Sequence, residues 1–123
     1  MANPNIVNVT AIYGKTTGAN LTSTGAAIVL NNASGSNTVL KVNTFNVSNY
    51  TASAANITVN FNNSANLGGT NFSIVSTVSV PGNSTLNVID KSSQYYLEEN
   101  QSLGATAGTA NALHITCSYE SIN

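Results

Sequence analysis

Charged side chains are nearly missing from this sequence. Three Lys, no Arg, one Asp and three Glu make up 6% of 123 residues, against about 25% in an ordinary globular chain. Without a cluster of basic residues there is nothing to displace counterions from a phosphate backbone, so nucleic-acid binding is excluded. Electrostatic attachment to an anionic membrane is excluded on the same ground. Trp is absent and His occurs once. The one Cys, Cys117, rules out an internal disulfide as the source of stability. Long apolar runs are missing too: the longest, Ala26 to Leu30, is far too short to span a bilayer. The opening Met1-Ala2-Asn3-Pro4-Asn5 has neither the basic nor the apolar region of a secretion signal, which predicts a protein that is not secreted.

What fills the space is amide and hydroxyl. The chain carries 21 Asn, 15 Ser and 15 Thr, yet 41% of its residues are hydrophobic, enough for a core. Its net charge is −1, so copies of the chain do not repel one another, and association is easy. Asn-x-Ser/Thr triplets recur, for example at Asn8, Asn20, Asn32, Asn46 and Asn49. In so Asn-rich a chain they are expected from composition alone, not as glycan acceptors.

Alternation with period two runs through most of the sequence, and no helical period is sustained over two turns. Ile57, Val59 and Phe61 alternate with Thr58 and Asn60; Phe72, Ile74, Val78 and Val80 are assigned to one inward face; Leu113, Ile115, Cys117 and Tyr119 alternate with polar neighbours. Further strands are expected at 6–13, 26–31, 38–49, 86–89, 95–98 and 103–106. Between Val42 and Phe45 the apolar parity slips by one residue, which predicts a β-bulge at Asn43 or Thr44. Val80-Pro81-Gly82-Asn83 predicts a type II turn with Gly82 at positive φ. About eight to nine short strands with regular turns predict an all-β fold. The expected architecture is an antiparallel β-sandwich, jelly-roll-like, in one domain spanning 1–123 with 1–5 as an N-terminal arm.

Chemistry is hard to find. His114 shares the outward parity of Thr116, and Cys117 shares the inward parity of Leu113, so no nucleophile has a base beside it. Glu98 and Glu99 are adjacent in a strand and point to opposite faces, and no His/Cys/Asp set has metal-ligand spacing. Gly68-Gly69 lacks the continuation of a phosphate loop. The expectation is a non-enzyme with no cofactor and no metal. Of Tyr95 and Tyr96, one ring is expected to face inward and the other outward, against a neighbouring subunit or a sugar.

Several segments taken together carry a resemblance. They are Pro4-Asn5-Ile6-Val7-Asn8-Val9-Thr10-Ala11-Ile12-Tyr13-Gly14-Lys15, Lys41-Val42-Asn43-Thr44 with Val47-Ser48-Asn49, and Val78-Ser79-Val80-Pro81 leading to Val88-Ile89-Asp90. Tyr96-Leu97-Glu98-Glu99 and Ser118-Tyr119-Glu120-Ser121-Ile122 complete the set. The chain thereby resembles, over nearly its whole length, a family of small virion proteins of marine tailed phages, chiefly cyanophages. It departs from that family in its lower loop charge and the lack of an acidic tail. The resemblance implies a structural virion component made in the host cytoplasm. The favoured place is that of a capsid decoration protein on the outer face of the major capsid protein, as a homo-oligomer, with a trimer as the first expectation. A tail, neck or fibre component is the alternative, and a carbohydrate-binding module for host attachment is a further one. The candidate partner-binding residues are Ala2, Asn3, Pro4 and Asn5 of the arm, Asn66 and Leu67 of the 62–71 loop, and Tyr95 and Tyr96.

Overall fold

A computed structural model describes residues 7–123, in which nine strands form two antiparallel sheets. The strands are β1 (Ile12–Asn20), β2 (Ala27–Asn32), β3 (Val39–Asn49), β4 (Ala55–Asn62), β5 (Asn71–Val80), β6 (Thr85–Ile89), β7 (Tyr95–Leu97), β8 (Gln101–Ala107) and β9 (Leu113–Ile122). A short 3-10 turn, Ala65–Leu67, lies between β4 and β5. The expected arm, 1–5, lies outside the described residues.

The first sheet has the order β1-β9-β3-β6, with β7 also on β3; the second has the order β2-β8-β4-β5. β6 pairs with β3 at Phe45 to Ser48 and β7 pairs with it at Leu40 to Val42, so the two are halves of one interrupted strand. With β6 and β7 counted as one, the pairs nest: β4 with β5, β3 with β6/β7, β2 with β8, β1 with β9. This is a long hairpin rolled into two facing sheets, the jelly-roll arrangement. One core cluster fills the space between them, with Phe45, Ile57, Ile89, Leu97, Leu103 and Leu113 among its most buried members.

The alternating strands lie where their patterns place them. In β4, Ile57 and Val59 are buried and Thr58 and Asn60 half-exposed; in β9, Leu113, Ile115 and Cys117 are buried while His114 and Thr116 are exposed. The parity slip in β3 is a bulge. The β3–β9 register skips between Val42 and Thr44 and leaves Asn43 as the extra residue. Its side chain is put to use, donating to Glu120 Oε2 at 2.9 Å and accepting from Gln94 Nε2 at 3.1 Å.

Three expectations need correction. The first strand runs over Ile12–Asn20, not 6–13; it is hydrogen-bonded to β9 along its length but has no buried residue, so no apolar alternation marks it. In β5 the ladder to β4 is irregular on both sides of Val59 and Thr77 has φ 51°, so Val75 and not Ile74 stands opposite Val59. Phe72 stands opposite Phe61, ring centroids 6.3 Å apart, but on this edge strand it remains 53% exposed. In the turn at 81–83 the left-handed residue is Asn83 (φ 55°), not Gly82. Gly82 is needed for another reason: a Cβ there would lie 2.3 Å from the Ala52 carbonyl oxygen.

Asparagine does two structural jobs. Asn37, Asn66, Asn83, Asn100 and Asn111 hold the left-handed turn positions that glycine usually takes, and Gly35 is the glycine that does so among the described residues. Asn32, Asn49 and Asn62 end β2, β3 and β4 and are buried there. Each side chain binds the backbone of the loop that follows. Asn32 donates to the Thr38 and Leu97 carbonyls (2.8 and 2.9 Å). Asn49 donates to those of Ser53 and Val80 (2.8 and 3.0 Å) and accepts from the Thr51 amide and hydroxyl. Asn62 accepts from the Ser64 and Gly69 amides, each at 2.9 Å. At Asn49 and Asn62 the third residue of the Asn-x-Ser/Thr triplet, Thr51 or Ser64, donates to the Asn oxygen, so at these two positions the triplet forms a strand-ending turn. Asp90 does the same after β6, with its Oδ1 accepting from the Ser92 amide (2.9 Å) and hydroxyl (2.6 Å).

Candidate functional site

The reactive residue types are kept apart. Cys117 is buried, and desolvation pushes its thiol up to about 12. A thiol held neutral is a poor nucleophile, so a disulfide-exchange reagent at pH 8 is expected to modify native Cys117 only at the rate of unfolding. Fast stoichiometric labelling of the folded protein would refute that assignment. His114 is exposed on the outer face of the first sheet and stacks on Tyr50, ring centroids 4.0 Å apart. Hydrogen bonds from Ser92, then Ser93, hold the Asp90 carboxyl below its ordinary value. A depressed carboxyl stabilises the fold above its unfolded pKa and loses that contribution as pH falls through the folded value, so this turn weakens only in acid. Glu99 accepts from the Asn37 amide at the other end of the sandwich. Among the described residues no three His, Cys, Asp or Glu side chains converge on a possible metal position. No helix among them is long and apolar enough to cross a membrane.

The expected contact residues are scattered. Ala2, Asn3, Pro4 and Asn5 lie outside the described residues. Asn66 is exposed, but its amide donates to Asn31 Oδ1 at 2.7 Å. Leu67 is half-buried; its methyls face Gly104, where a Cβ would meet them at 2.8 and 2.9 Å. The Leu67 amide also donates to Ser102 Oγ at 3.0 Å, so this loop is fastened to β2 and β8. Tyr95 and Tyr96 are both exposed, which corrects the expectation of one ring in and one out. Leu97 takes the buried position of β7, and Tyr95, on the same parity, sits at the sheet edge with only β3 beside it.

A wider pattern emerges around the edges. β1 and β2 form one side of the sandwich, while β5, β6 and β7 form the other, where β5 meets β6. Each side exposes large apolar groups: Ile12 (53%) and Tyr13 (56%) on β1, Ile28 on β2, Phe72 on β5, Tyr95 and Tyr96 on β7. Of these, sequence reasoning singles out Tyr95 and Tyr96 as contact residues and names Tyr13 as a candidate exposed ring. Ile12 and Tyr13 are neighbours in a strand, so at least one must face solvent, and that adjacency was the available signal.

The topology and the shared core define the class: an all-β jelly-roll sandwich with a sparsely charged exterior. No protein-family pattern matches the chain, and no curated protein matches its sequence. Among solved structures it is similar to a protein of Bacillus endospore appendages, which form a family of disulfide-linked pili. The TM-score is 0.51 at 17% identity, covering 91% of this chain and 88% of that one. At that identity the likeness speaks for the fold alone.

Proposed function

We propose that this chain is a non-catalytic structural subunit of a tailed-phage particle, a capsid decoration protein that binds the outer face of the major capsid protein as a homo-oligomer. The observation that carries this reading is the state of the sheet edges. Natural sandwiches guard edge strands with Lys, Pro or inward charge. Here β2, β5 and β7 contain no charged residue, β1 contains only Lys15, and both sides of the sandwich present exposed aromatics or Ile. Interfaces are enriched in such side chains and depleted of charge. The resemblance of the sequence to small virion proteins supplies the particle. The pilus neighbour supports the fold and nothing beyond it. Its disulfide linkage does not transfer, because the lone Cys117 is buried and its thiol raised.

Purified protein mixed with undecorated capsids is expected to bind saturably, in proportion to the major capsid protein, and to raise the particle's thermal resistance. Tyr96→Ala and Phe72→Ala are expected to cut occupancy about tenfold or more if either edge faces the shell. Uptake limited to a small fixed number of copies per particle would move the protein to the tail or neck. No uptake at all would end the virion reading. Light scattering of the free protein gives the oligomer, for which a trimer is expected.

A further inference from the structure

The outer face of the first sheet carries an ordered arrangement that the assembly reading does not use. The strand registers place Asn20, His114, Ser48 and Thr85 side by side across β1, β9, β3 and β6. The next row is Gly18, Thr116, Asn46 and Asn87, with the Asn87 amide donating to Asn46 Oδ1 at 2.7 Å. Over the first row lies Tyr50. Its ring stacks on His114 at 4.0 Å with 25° between the planes, and its hydroxyl donates to Asn20 Oδ1 at 3.0 Å. Asn20 in turn donates to Asn111 Oδ1 at 3.4 Å. A stack on β9 and a hydrogen bond to β1 thus hold the ring, with Asn111 bracing Asn20, and Tyr50 remains 41% exposed.

We infer that this corner, centred on Tyr50 and His114 with Asn20, Asn111, Ser48 and Thr85 around it, binds an uncharged glycan. The argument is one of matching chemistry. A fixed aromatic ring offers an apolar platform for the C–H face of a pyranose, at little entropic cost because its pose is already set. The surrounding amides and hydroxyls both donate and accept, as a ring of sugar hydroxyls requires. Apart from the imidazole the site is neutral: Glu120, the charged residue of β9, stands six positions along the strand from His114, roughly 20 Å away. An anionic or cationic ligand has no counter-charge here. A peptide would need an apolar groove or a strand edge to pair with, whereas Tyr50 and His114 present ring faces over the two inner strands, β9 and β3, whose backbones are already paired on both sides.

The test uses the full chain with maltohexaose, cellohexaose, chitohexaose and a linear mannan as probes, followed by NMR of the His114 and Tyr50 ring protons. Saturable shifts of both rings with at least one probe are expected. Tyr50→Ala is expected to weaken binding about tenfold or more, and Tyr50→Phe, which keeps the ring but loses the tie to Asn20, by a smaller factor. Tyr96→Ala should leave the affinity unchanged. Capsid uptake of Tyr50→Ala should match the parent, which separates this inference from the assembly reading. Absence of shifts with all four probes would overturn the assignment. So would binding that survives Tyr50→Ala in a variant whose amide spectrum shows it folded, or binding confined to charged glycans.

Discussion

Asn49→Ala is expected to lower the stability of the domain by about 3–5 kcal/mol, or roughly 10–20 °C in Tm. The side chain is 1% exposed and uses both ends. Its amide nitrogen serves the Ser53 and Val80 carbonyls, and its oxygen serves the Thr51 amide and hydroxyl. Alanine takes a partner from the Val80 carbonyl in the core, at about 1–3 kcal/mol, and removes three further hydrogen bonds from the half-exposed turn at Thr51 and Ser53, each worth about 0.5–1.5 kcal/mol. Asn49→Asp sharpens the test. An ionised carboxylate would present oxygen to two carbonyls, so the folded state raises its pKa above the unfolded value. Such a variant keeps its stability below the ordinary carboxylate range, about pH 4, and loses it as pH rises. Thermal melts across pH 3–8 check this. A flat profile equal to the parent would mean that Asn49 does not organise the turn.

Gly82→Ala is expected to cost about 3 kcal/mol or more. The added Cβ would lie 2.3 Å from the Ala52 oxygen, 2.4 Å from its carbonyl carbon and 3.0 Å from the Ser53 nitrogen. All three are backbone atoms, so no rotamer change relieves the contact. The clash separates two turns that also meet through the Asn83 amide and the Thr51 carbonyl at 2.9 Å. Because Asn49 belongs to the same clasp, the double variant should lose less than the sum of the two single losses. Gly14→Ala is the control: nothing lies within 4 Å of its Cβ position, and a change within about 0.5 kcal/mol, or slight stabilisation, is expected. Urea midpoints for the three variants decide the matter. Parity between Gly82→Ala and Gly14→Ala would remove the argument.

How far the fold could be read depended on whether a strand buries anything. β4 and β9 each face the core with one side, so Ile57 and Val59, or Leu113 and Ile115, announce them. The bulge at Asn43 was legible because the slip occurs between buried residues, Val42 and Phe45. β1 was not legible, since its pairing with β9 is made by backbone alone and leaves no trace in side-chain pattern. The exposure of Phe72 was not legible for another reason: its parity places it opposite Phe61, but only the strand order shows that β5 is a sheet edge with no strand on its far side. The Tyr50–His114–Asn20 corner joins residues far apart in the chain. His114 was placed on the outer face by parity, but only the register brings Asn20 and Tyr50 to it.

The nested pairing described above also fixes how the chain must find its shape. The β4–β5 pair closes a short loop, and each pair outside it closes a longer one, until β1 and β9 join the two ends of the described chain. Loop-closure entropy rises by about 2 kcal/mol across that range. With contacts so distant in sequence, folding belongs to the slow millisecond-to-second class of β proteins. The outermost strand gains little apolar burial to offset its closure. β1 is therefore the last strand to dock, and a chain emerging from the ribosome must wait for β9 before β1 has anywhere to go.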